Sequence, residues 1–587
     1  MKFSLTVLFL FAFGISHANY STPGMGKVWD LDSMVTYSSG NVTYTAGEYY
    51  VNDTIIISAS DTVKVTTNAV IKFGTSVFID IFGVLIVNPP DSAKITAQDT
   101  SLKFLGLKFE DQSDGSFLKK LIFEYGNSIR MLDCNILIDS CTIRFNNLNS
   151  SFASGAISLF RSNSVITNCK IYRNRRAAIV SGANIASSPV IENNIIFEND
   201  TDNTNVPQIN FGATASTPMI IRGNQIIGGM YNMSGGISFF PAGSIPKVII
   251  ENNIIKKNRY GIAIAGGNSN FYINNNIIDS NNIQGLPLSG GSGINFNGNS
   301  TQISVVTRNK IRGNLWGITI QGTAKPNLGD LFSSDTSDAG LNEIYWNGNS
   351  GKIFDLFNNT IDSIKAMNNY WGSAIIDSVE SHIFHKPDSA VLGQVRYLPL
   401  QSLKLNLKLL TEGLYNNSID LLARKDTMKV YLRNADAPYS IVDSAISTID
   451  TVTFTGLFEF FNAFSGQYYI QVKHFNSLET WSKSGGETLS LNVSINNFDF
   501  TNSSGQAYGG NMILEGSRYC FYSGDIDQNG IIDASDSGPT DNDASNFASG
   551  IRLLTDLDGN NIVDANDMAI LDNNTANFVQ VISPLVK

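Results

Sequence analysis

Acidic side chains near the carboxy-terminal end of the sequence repeat at a spacing typical of a metal-binding loop. In the first copy, oxygen-bearing side chains stand at loop positions 1, 3, 5, 9 and 12. Gly530 stands at position 6, where a calcium loop turns sharply, and the residue at position 7 offers its backbone carbonyl. Because hard Ca²⁺ prefers a dense set of oxygen ligands, this pattern predicts a calcium site. The predicted ligands of the first loop are Asp525, Asp527, Asn529, Ile531, Asp533 and Asp536.

The same loop recurs 31 residues later, with matching flanking segments. Asn561 stands at position 6 of this second copy, and asparagine is the best substitute for glycine in a left-handed backbone. The crowded carboxylates of each loop should repel one another without metal, so we expect calcium to be needed for this segment to fold firmly. Two Ca²⁺ ions are therefore predicted. The predicted ligands of the second loop are Asp556, Asp558, Asn560, Ile562, Asp564 and Asp567.

The duplicated loop, with its flanks, resembles a dockerin over residues 523 to 582. Dockerins are small α-helical modules with two calcium loops, and the Asp at position 12 of both loops also fits them. The resemblance implies calcium ligation and a cohesin-like protein partner. The segments after each loop, however, are rich in Asp and Asn, where dockerins usually present apolar and basic contact residues.

A second repeat fills the first two thirds of the sequence. An apolar pair, two polar residues, Asn or Cys, any residue and an apolar residue recur nine times at intervals of 23 to 33 residues. A further Asn follows in most copies, as at Asn258, and the copy with Gly229 breaks this rule. The Asn or Cys position of the motif is occupied in chain order by Cys141, Cys169, Asn194, Asn224, Asn253, Asn276, Asn309, Asn342 and Asn369.

This repeat predicts a parallel β-helix. Short alternating strands send every second side chain inward, and stacked asparagine amides can form a hydrogen-bonded ladder. Asparagine also tolerates the left-handed backbone that sharp corners require, so we expect it at such corners. The ending Asn369-Tyr370-Trp371 closely resembles the last coil of secreted bacterial right-handed β-helix proteins, over roughly residues 40 to 400. That resemblance implies the handedness, while its family holds both enzymes and non-enzymes.

The predicted fold is therefore mainly β, with a signal peptide followed by three domains. Lys2, a short apolar run and a small residue at Ala18 indicate a secretory signal over residues 1–18, with cleavage near Ala18. A right-handed parallel β-helix is predicted over 19–400. Strand-like alternation with turn-rich gaps favours an immunoglobulin-like β-sandwich over 401–520, and the dockerin-like module occupies 521–587. We expect the mature protein to be secreted or held at the cell surface, with no membrane insertion.

Composition excludes several classes of function. The chain of 587 residues carries a net charge of −11 and only 16% charged residues. Because phosphate binding needs clustered Lys and Arg, a nucleic-acid partner is not expected. Four cysteines do not make a disulfide scaffold, and Cys141 and Cys169 should stack in neighbouring coils, either as a disulfide or as buried thiols.

Catalytic signals are weak in the sequence. The basic residues around Arg173 and Lys256 are interpreted as solvated corners, because no paired carboxylates stand at equivalent positions on adjacent coils. No catalytic residue is assigned. The leading hypothesis is a non-catalytic protein that mediates adhesion or binds carbohydrate or protein through the solenoid surface. The alternative is a pectate-lyase-like lyase or a glycoside hydrolase on the exposed face of the β-helix, and a carboxylate–Arg group in a cleft would favour it.

Overall fold

The computed structural model describes residues 19–146, 154–491 and 493–585. The predicted signal peptide, residues 1–18, lies outside the described residues. The chain divides into two compact units: Met1–Trp371 with Val379–Leu398, and Gly372–Ser378 with Pro399–Lys587. No helix among the described residues is long and apolar enough to cross a membrane.

Three long sheets of short, parallel strands form the first unit, and the chain visits the first, second and third sheet in turn. This arrangement is a parallel β-helix, as predicted, and the strands pair in register with those of the coils before and after them. Alternate side chains point inward, so isoleucine stacks such as Ile196, Ile226 and Ile255 are fully buried. One hairpin departs from the pattern: Val42–Thr45 pairs antiparallel with Glu48–Val51.

The strands have the following bounds. The first sheet contains Tyr20–Ser21, Ile55–Ile57, Phe78–Ile81, Phe104–Phe109, Gly126–Leu132, Gly155–Phe160, Ala177–Ser181, Ile209–Phe211, Ile237–Phe239, Ile262–Gly266, Ser292–Gly298, Trp316–Gly322, Leu356–Asn359 and Ile383–Phe384. The second contains Val28–Trp29, Thr62–Val65, Val84–Val87, Phe117–Lys119, Leu137–Asp139, Val165–Thr167, Val190–Glu192, Met219–Arg222, Ile245–Glu251, Ser269–Asn274 and Gln302–Thr307. The third contains Val42–Thr45, Glu48–Val51, Val70–Phe73, Ala93–Ala97, Leu121–Glu124, Thr142–Arg144, Lys170–Tyr172, Ile195–Phe197, Gln225–Ile227, Ile254–Lys256, Ile277–Asp279, Lys310–Arg312 and Glu343–Tyr345.

A ladder of buried asparagines follows the turn between the second and third sheets. Asn224 Oδ1 accepts hydrogen bonds from the backbone N–H and the Nδ2 of Asn194, both at 3.0 Å. Asn253 Oδ1 accepts the same two bonds from Asn224, at 3.0 and 2.9 Å. The pattern continues through every copy to Asn369, which confirms the predicted stack.

From the sequence, we expected the ladder asparagine to adopt the left-handed backbone at this corner. The left-handed backbone does not fall on that residue. It falls on the residue before it, with φ of 57° at Asn193, 66° at Gly223 and 57° at Asn252. The reason is geometric: the left-handed residue makes the corner, and this turns the next side chain into the interior, where its amide stacks. Cys141 and Cys169 occupy the start of the same ladder as free, buried thiols. The Cys141 N–H donates to Cys169 Sγ at 3.4 Å.

A second asparagine ladder lies after the third sheet. It runs from Asn146 through Asn174 to Asn199, and again from Asn258 onward. Gln208 bridges the copy that lacks an asparagine: Asn199 Nδ2 donates to its Oε1 at 3.0 Å, and its Nε2 donates to Asn258 Oδ1 at 2.9 Å. A longer amide thus spans the coil that the sequence rule could not explain.

The first unit also holds a few short elements. They are the helices Leu31–Tyr37 and Ile376–His382, the 3₁₀ turn Thr336–Asp338, and the strands Gly348–Asn349, Lys352–Ile353, Ile364–Lys365 and Val395–Arg396. The first residues of the second helix, Ile376–Ser378, fall in the second unit.

The second unit contains a three-stranded sheet, a five-stranded sheet and two helices of 12 residues each. The three-stranded sheet contains Leu403–Lys408, Thr455–Phe460 and Asn496–Asp499, and the five-stranded sheet contains Asp426–Asn434, Ile441–Ile449, Gly466–His474, Ser477–Trp481 and Glu487–Leu489. The small elements are Tyr415–Asn416, Leu421–Leu422, Ile513–Glu515, Arg518–Cys520 and the 3₁₀ turns Ser504–Gln506 and Tyr508–Gly510. The helices are Ala534–Ser545 and Ala565–Ala576. An immunoglobulin-like classification of the two sheets stays a prediction.

Candidate functional site

The first acidic loop brings three of its predicted ligands together. One carboxylate oxygen from each of Asp525, Asp527 and Asp536 lies within 4.8 Å of the other two. Asp536, which is fully buried, reaches back from the start of the helix Ala534–Ser545 and accepts from the N–H groups of Ile526 and Asp527, at 2.7 and 3.1 Å. The loop is therefore folded around its own carboxylates.

The second loop repeats this arrangement residue for residue. Carboxylate oxygens of Asp556, Asp558 and Asp567 lie within 4.8 Å of one another. Asp567 is fully buried and accepts from the N–H groups of Leu557 and Asp558, at 2.7 and 3.0 Å. Each loop thus gathers three acidic oxygens, a donor set that suits the hard cation Ca²⁺.

The electrostatics of the trios fit a cation. Burial, together with the charges of Asp536 and Asp527, raises the pKa of Asp525 to about 6. Burial, with the charges of Asp567 and Asp556, likewise raises the pKa of Asp558 to about 6. Crowded, desolvated carboxylates resist ionisation unless a positive charge joins them.

The other predicted ligands hold the loops in shape. Asp533 and Asp564 cap the two helices by accepting from the N–H groups of Ser535 and Asn566, both at 2.8 Å. The side-chain oxygens of Asn529 and Asn560 accept from the N–H groups of Ile531 and Ile562, at 2.9 and 2.7 Å. Calcium ligation by all twelve residues stays a prediction.

One feature distinguishes the second loop from the first. Arg424, which precedes the strand Asp426–Asn434, places Nη1 2.8 Å from Asp556 Oδ2, while Asp556 is fully buried. The Arg424 Nε also donates to Asp426 Oδ2 at 3.2 Å. A residue outside the motif therefore holds the position-1 carboxylate of the second loop.

The acidic loops share their core with the sheets of the same unit. Leu478, from the strand Ser477–Trp481, belongs to one buried cluster with Ile526, Ile532, Leu557, Leu571 and Val579. Glu412 adds a polar link, since its Oε2 accepts from Ser523 N at 3.1 Å and Asn574 Nδ2 at 2.6 Å. Burial raises the pKa of Glu412 to about 7.

A basic cleft of about 440 Å³ lies on the outer face of the first sheet of the β-helix. Lys108 pairs with Arg130 and with Asp80 on adjacent strands, so the three form one outward column. Arg130 Nη2 lies 3.4 Å from Glu110 Oε1, and Lys108 Nζ lies 3.4 Å from the centre of the Phe78 ring. Burial raises the pKa of Asp80, although the positive charges of Lys108 and Arg130 act in the opposite direction. Burial also raises the pKa of Glu110.

The sequence reasoning missed this carboxylate–Arg group. It searched for paired acids at equivalent positions, whereas Asp80 and Glu110 stand in different columns of neighbouring coils. The alternation of Lys108 with the buried Leu107 and Phe109 was the available signal. Arg173 and Arg175, predicted to be solvated corner residues, have partly exposed side chains. They form ion pairs with Glu198 and Asp202, both at 2.8 Å.

A second cleft, of about 420 Å³, lies on the same sheet farther along the coils. We call it the aromatic cleft; it is lined by Ser292, Asn295, Trp316, Thr319, Gln321 and Phe357, with a wall formed by residues 287–290. Sequence reasoning did not single it out, because its polar lining residues resemble ordinary solvent-facing strand positions.

Comparison with known proteins identifies the fold of the first unit. Residues 83–237 and 201–301 match the family described as "Right handed beta helix region". Together with the three stacked sheets, this match supports a right-handed parallel β-helix. No curated protein has a sequence that matches this chain.

Several solved structures are similar. A mutant of the periplasmic alginate epimerase AlgG is 12% identical with a TM-score of 0.40, covering 64% of this chain and 83% of that one. The Dettilon tailspike protein is 11% identical with a TM-score of 0.24, covering 74% and 72%. A type II cohesin–X-dockerin complex from Acetivibrio cellulolyticus is 13% identical with a TM-score of 0.18, covering 30% of this chain and 95% of that one.

Proposed function

We propose that this chain is a secreted, calcium-binding β-helix protein that binds carbohydrate through its solenoid surface without modifying it. The observation that carries the calcium part is the pair of matching carboxylate trios, in which the buried Asp536 and Asp567 are held in the same way. A single acidic cluster would be weak support, but the same cluster built twice on the motif's spacing is not expected from surface decoration.

Each ion would be held by the position-1, position-3 and position-12 carboxylates of its loop, with the remaining predicted ligands completing the oxygen shell. The bound ion would supply the positive charge that the buried carboxylates lack. The helices capped by Asp533 and Asp564 would then be fixed relative to the loops, because their capping boxes involve Asp536 and Asp567. The role that follows is structural, with a rigid terminal surface available for docking a cohesin-like protein.

Binding of carbohydrate is supported by the outer face of the first sheet. One column runs in register between the two clefts, and its middle is covered: Val180 and Asn210 are buried, with Val180 in a cluster with Val206. The column contains, in chain order, Arg130, Ser158, Val180, Asn210, Ser238, Ala263, Asn295 and Thr319. At about 4.8 Å between neighbouring strands, seven steps span about 34 Å. Ser238, Ala263 and Asn295, the partly exposed members that lead to the second cleft, are small or polar and suit a sugar polymer. Secretion is supported by the predicted signal sequence over residues 1–18.

A second candidate function is a lyase or glycoside hydrolase that acts on an anionic polysaccharide in the basic cleft. Lys108 and Arg130 would hold the substrate's carboxylates there. Asp80 and Glu110, whose pKa values burial raises, lie beside these cations and are the candidate proton carriers. This group is the carboxylate–Arg cluster that the alternative hypothesis requires.

The purified mature protein should be screened against a panel of neutral and anionic polysaccharides, scoring binding, new reducing ends and unsaturated ends. Binding without new ends supports the proposed function. New ends that disappear in Arg130→Ala, but persist in the exposed ion-pair variant Arg161→Ala, would instead establish the enzyme. Failure of every polysaccharide to bind would overturn both candidates.

A further inference from the structure

The aromatic cleft is built from three strands of the first sheet in strict register. Asn295 pairs with Thr319, which pairs with Phe357, so these side chains form one outward column. Gln321 stands in the neighbouring outward column, between Asn297 and Asn359. Because strands are more rigid than loops, this strand-built floor of the cleft is pre-formed, while the wall at residues 287–290 is a loop.

Trp316 packs against aromatic side chains on the side of the following coil, and the side of the preceding coil is open. Its ring centre lies 4.6 Å from that of Phe354 and 5.5 Å from that of Phe357. On the preceding strand its partner is Ser292, whose small side chain leaves room for the cleft. Trp316 Nε1 donates to the carbonyl of Pro287 at 3.0 Å, which fixes the ring against the wall. An indole held this way offers a rigid aromatic face.

The polar groups around this face are neutral. Among the described residues that line the cleft, no side chain is ionisable, whereas Lys108 and Arg130 line the basic cleft. A charged ligand would lose its hydration here without gaining an opposite charge. The cleft therefore suits an uncharged ligand with many hydroxyl groups.

Asn295 supplies a specific reason to expect a ligand donor. Its Oδ1 is buried and has no hydrogen-bond partner among the described residues. Leaving such an acceptor unsatisfied costs about 1–3 kcal/mol, which a ligand hydroxyl would recover. The hydroxyls of Ser292 and Thr319, 2.9 Å apart, lie beside it.

From this geometry we propose that the aromatic cleft is a binding subsite for uncharged sugar residues of a neutral polysaccharide. The apolar C–H face of a pyranose packs on the Trp316 ring, whose negative face attracts polarised C–H groups. The amides of Asn295 and Gln321 bond its hydroxyls. This inference rests on the proposed function, carbohydrate binding by the solenoid, and adds the location and the class of sugar.

The test is titration calorimetry on the full mature chain in constant calcium, with hexasaccharides of neutral β-1,4-glucan, xylan and mannan beside a polyuronate. At least one neutral hexasaccharide should bind. Trp316→Ala should weaken it by at least tenfold, Trp316→Phe by less, and Asn295→Ala by about 5- to 150-fold. Trp346→Ala, at a tryptophan that is 63% exposed elsewhere on the β-helix, is the matched control and should leave affinity unchanged.

Three results would overturn the inference. One is neutral binding that is unchanged in both Trp316→Ala and Asn295→Ala. Another is binding of the polyuronate alone, lost in Arg130→Ala, which would leave the proposed carbohydrate binding intact but place it in the basic cleft. The third is binding of no sugar at all, which would also remove the proposed function. Thermal unfolding of each variant shows whether it folds. If Trp316→Ala does not fold, the affinity of Asn295→Ala still tests the inference.

Discussion

Replacing Arg424 by methionine should make the second acidic loop depend more strongly on calcium. The guanidinium lies 2.8 Å from Asp556 Oδ2, and Asp556 is fully buried beside two further carboxylates. In the metal-free protein, Arg424 is the cation that partly neutralises this group. Calcium and Arg424 therefore act on the same carboxylate.

The magnitude follows from the cost of an unpaired buried charge. Removing one partner of a buried ion pair typically costs about 3–5 kcal/mol. Asp426, the other carboxylate on Arg424, is less affected: although burial opposes its ionisation, contacts that include His474 and Arg552 hold its pKa at about 2. A bound ion would compensate Asp556 in the variant. If about half of the cost disappears on binding, the calcium affinity of this loop rises about 10- to 100-fold.

Calorimetry in an Asp525→Ala background isolates the second loop. We expect Arg424→Met to tighten calcium binding there, and to lower the free energy of unfolding much more in chelator than in calcium. Lys425→Met is the matched control, because its ion pair with Asp450 is exposed and should contribute little. Unchanged or weaker calcium binding, or equal destabilisation with and without calcium, would refute the reasoning.

Two further outcomes are expected. Asn253→Ala removes the Oδ1 that accepts from Asn224, and it removes the Nδ2 that donates to two backbone carbonyls and to Asn276. Urea unfolding should therefore show that the free energy of unfolding falls by about 3 kcal/mol or more. The exposed Asn297→Ala should cost well under 1 kcal/mol, and equal effects would contradict the ladder's role. Burial raises the pKa of Glu412 from 4.5 to about 7, so Glu412 binds its proton more tightly in the folded state than in the unfolded state. The free energy of unfolding should therefore fall by on the order of 3 kcal/mol as the pH rises from about 4.5 to 7. Glu412→Gln should flatten that decline and stabilise the protein at pH 8 in saturating calcium, and an unchanged pH slope would show that Glu412 does not cause it.

The repeating features of this chain could be predicted because each is encoded locally. The ladder asparagines recur with the same neighbours, and the calcium loop places its oxygens within 12 residues, so spacing alone identifies both. Gln208 could not be predicted, since it completes the ladder from nine residues beyond Asn199, at a spacing that recurs in no other coil of the described residues.

Features that depend on register between coils could not be predicted either. Lys108 and Arg130 meet on adjacent strands only because the intervening turns have particular lengths. Arg424 reaches Asp556 across 132 residues of sequence, through the packing of the second unit. The motif indicated which carboxylates gather, but it contains no information about the cation beside them.

Asp355 illustrates the same limit at the end of the second asparagine ladder. It accepts from the N–H and the Nδ2 of Asn347, at 3.1 and 2.8 Å, where another asparagine would be expected. Its other oxygen lies 3.1 Å from His382 Nδ1. The inserted hairpin Gly348–Asn349 and Lys352–Ile353 breaks the usual spacing, so sequence pattern did not reveal this ending.

Calcium titration calorimetry on the full mature chain tests the central claim most directly. Two binding sites are expected in the wild-type protein. Asp525→Ala should abolish one site and leave the second, and Asp556→Ala should do the converse. Absence of binding at millimolar calcium, or loss of both sites from either single substitution without unfolding, would contradict the account.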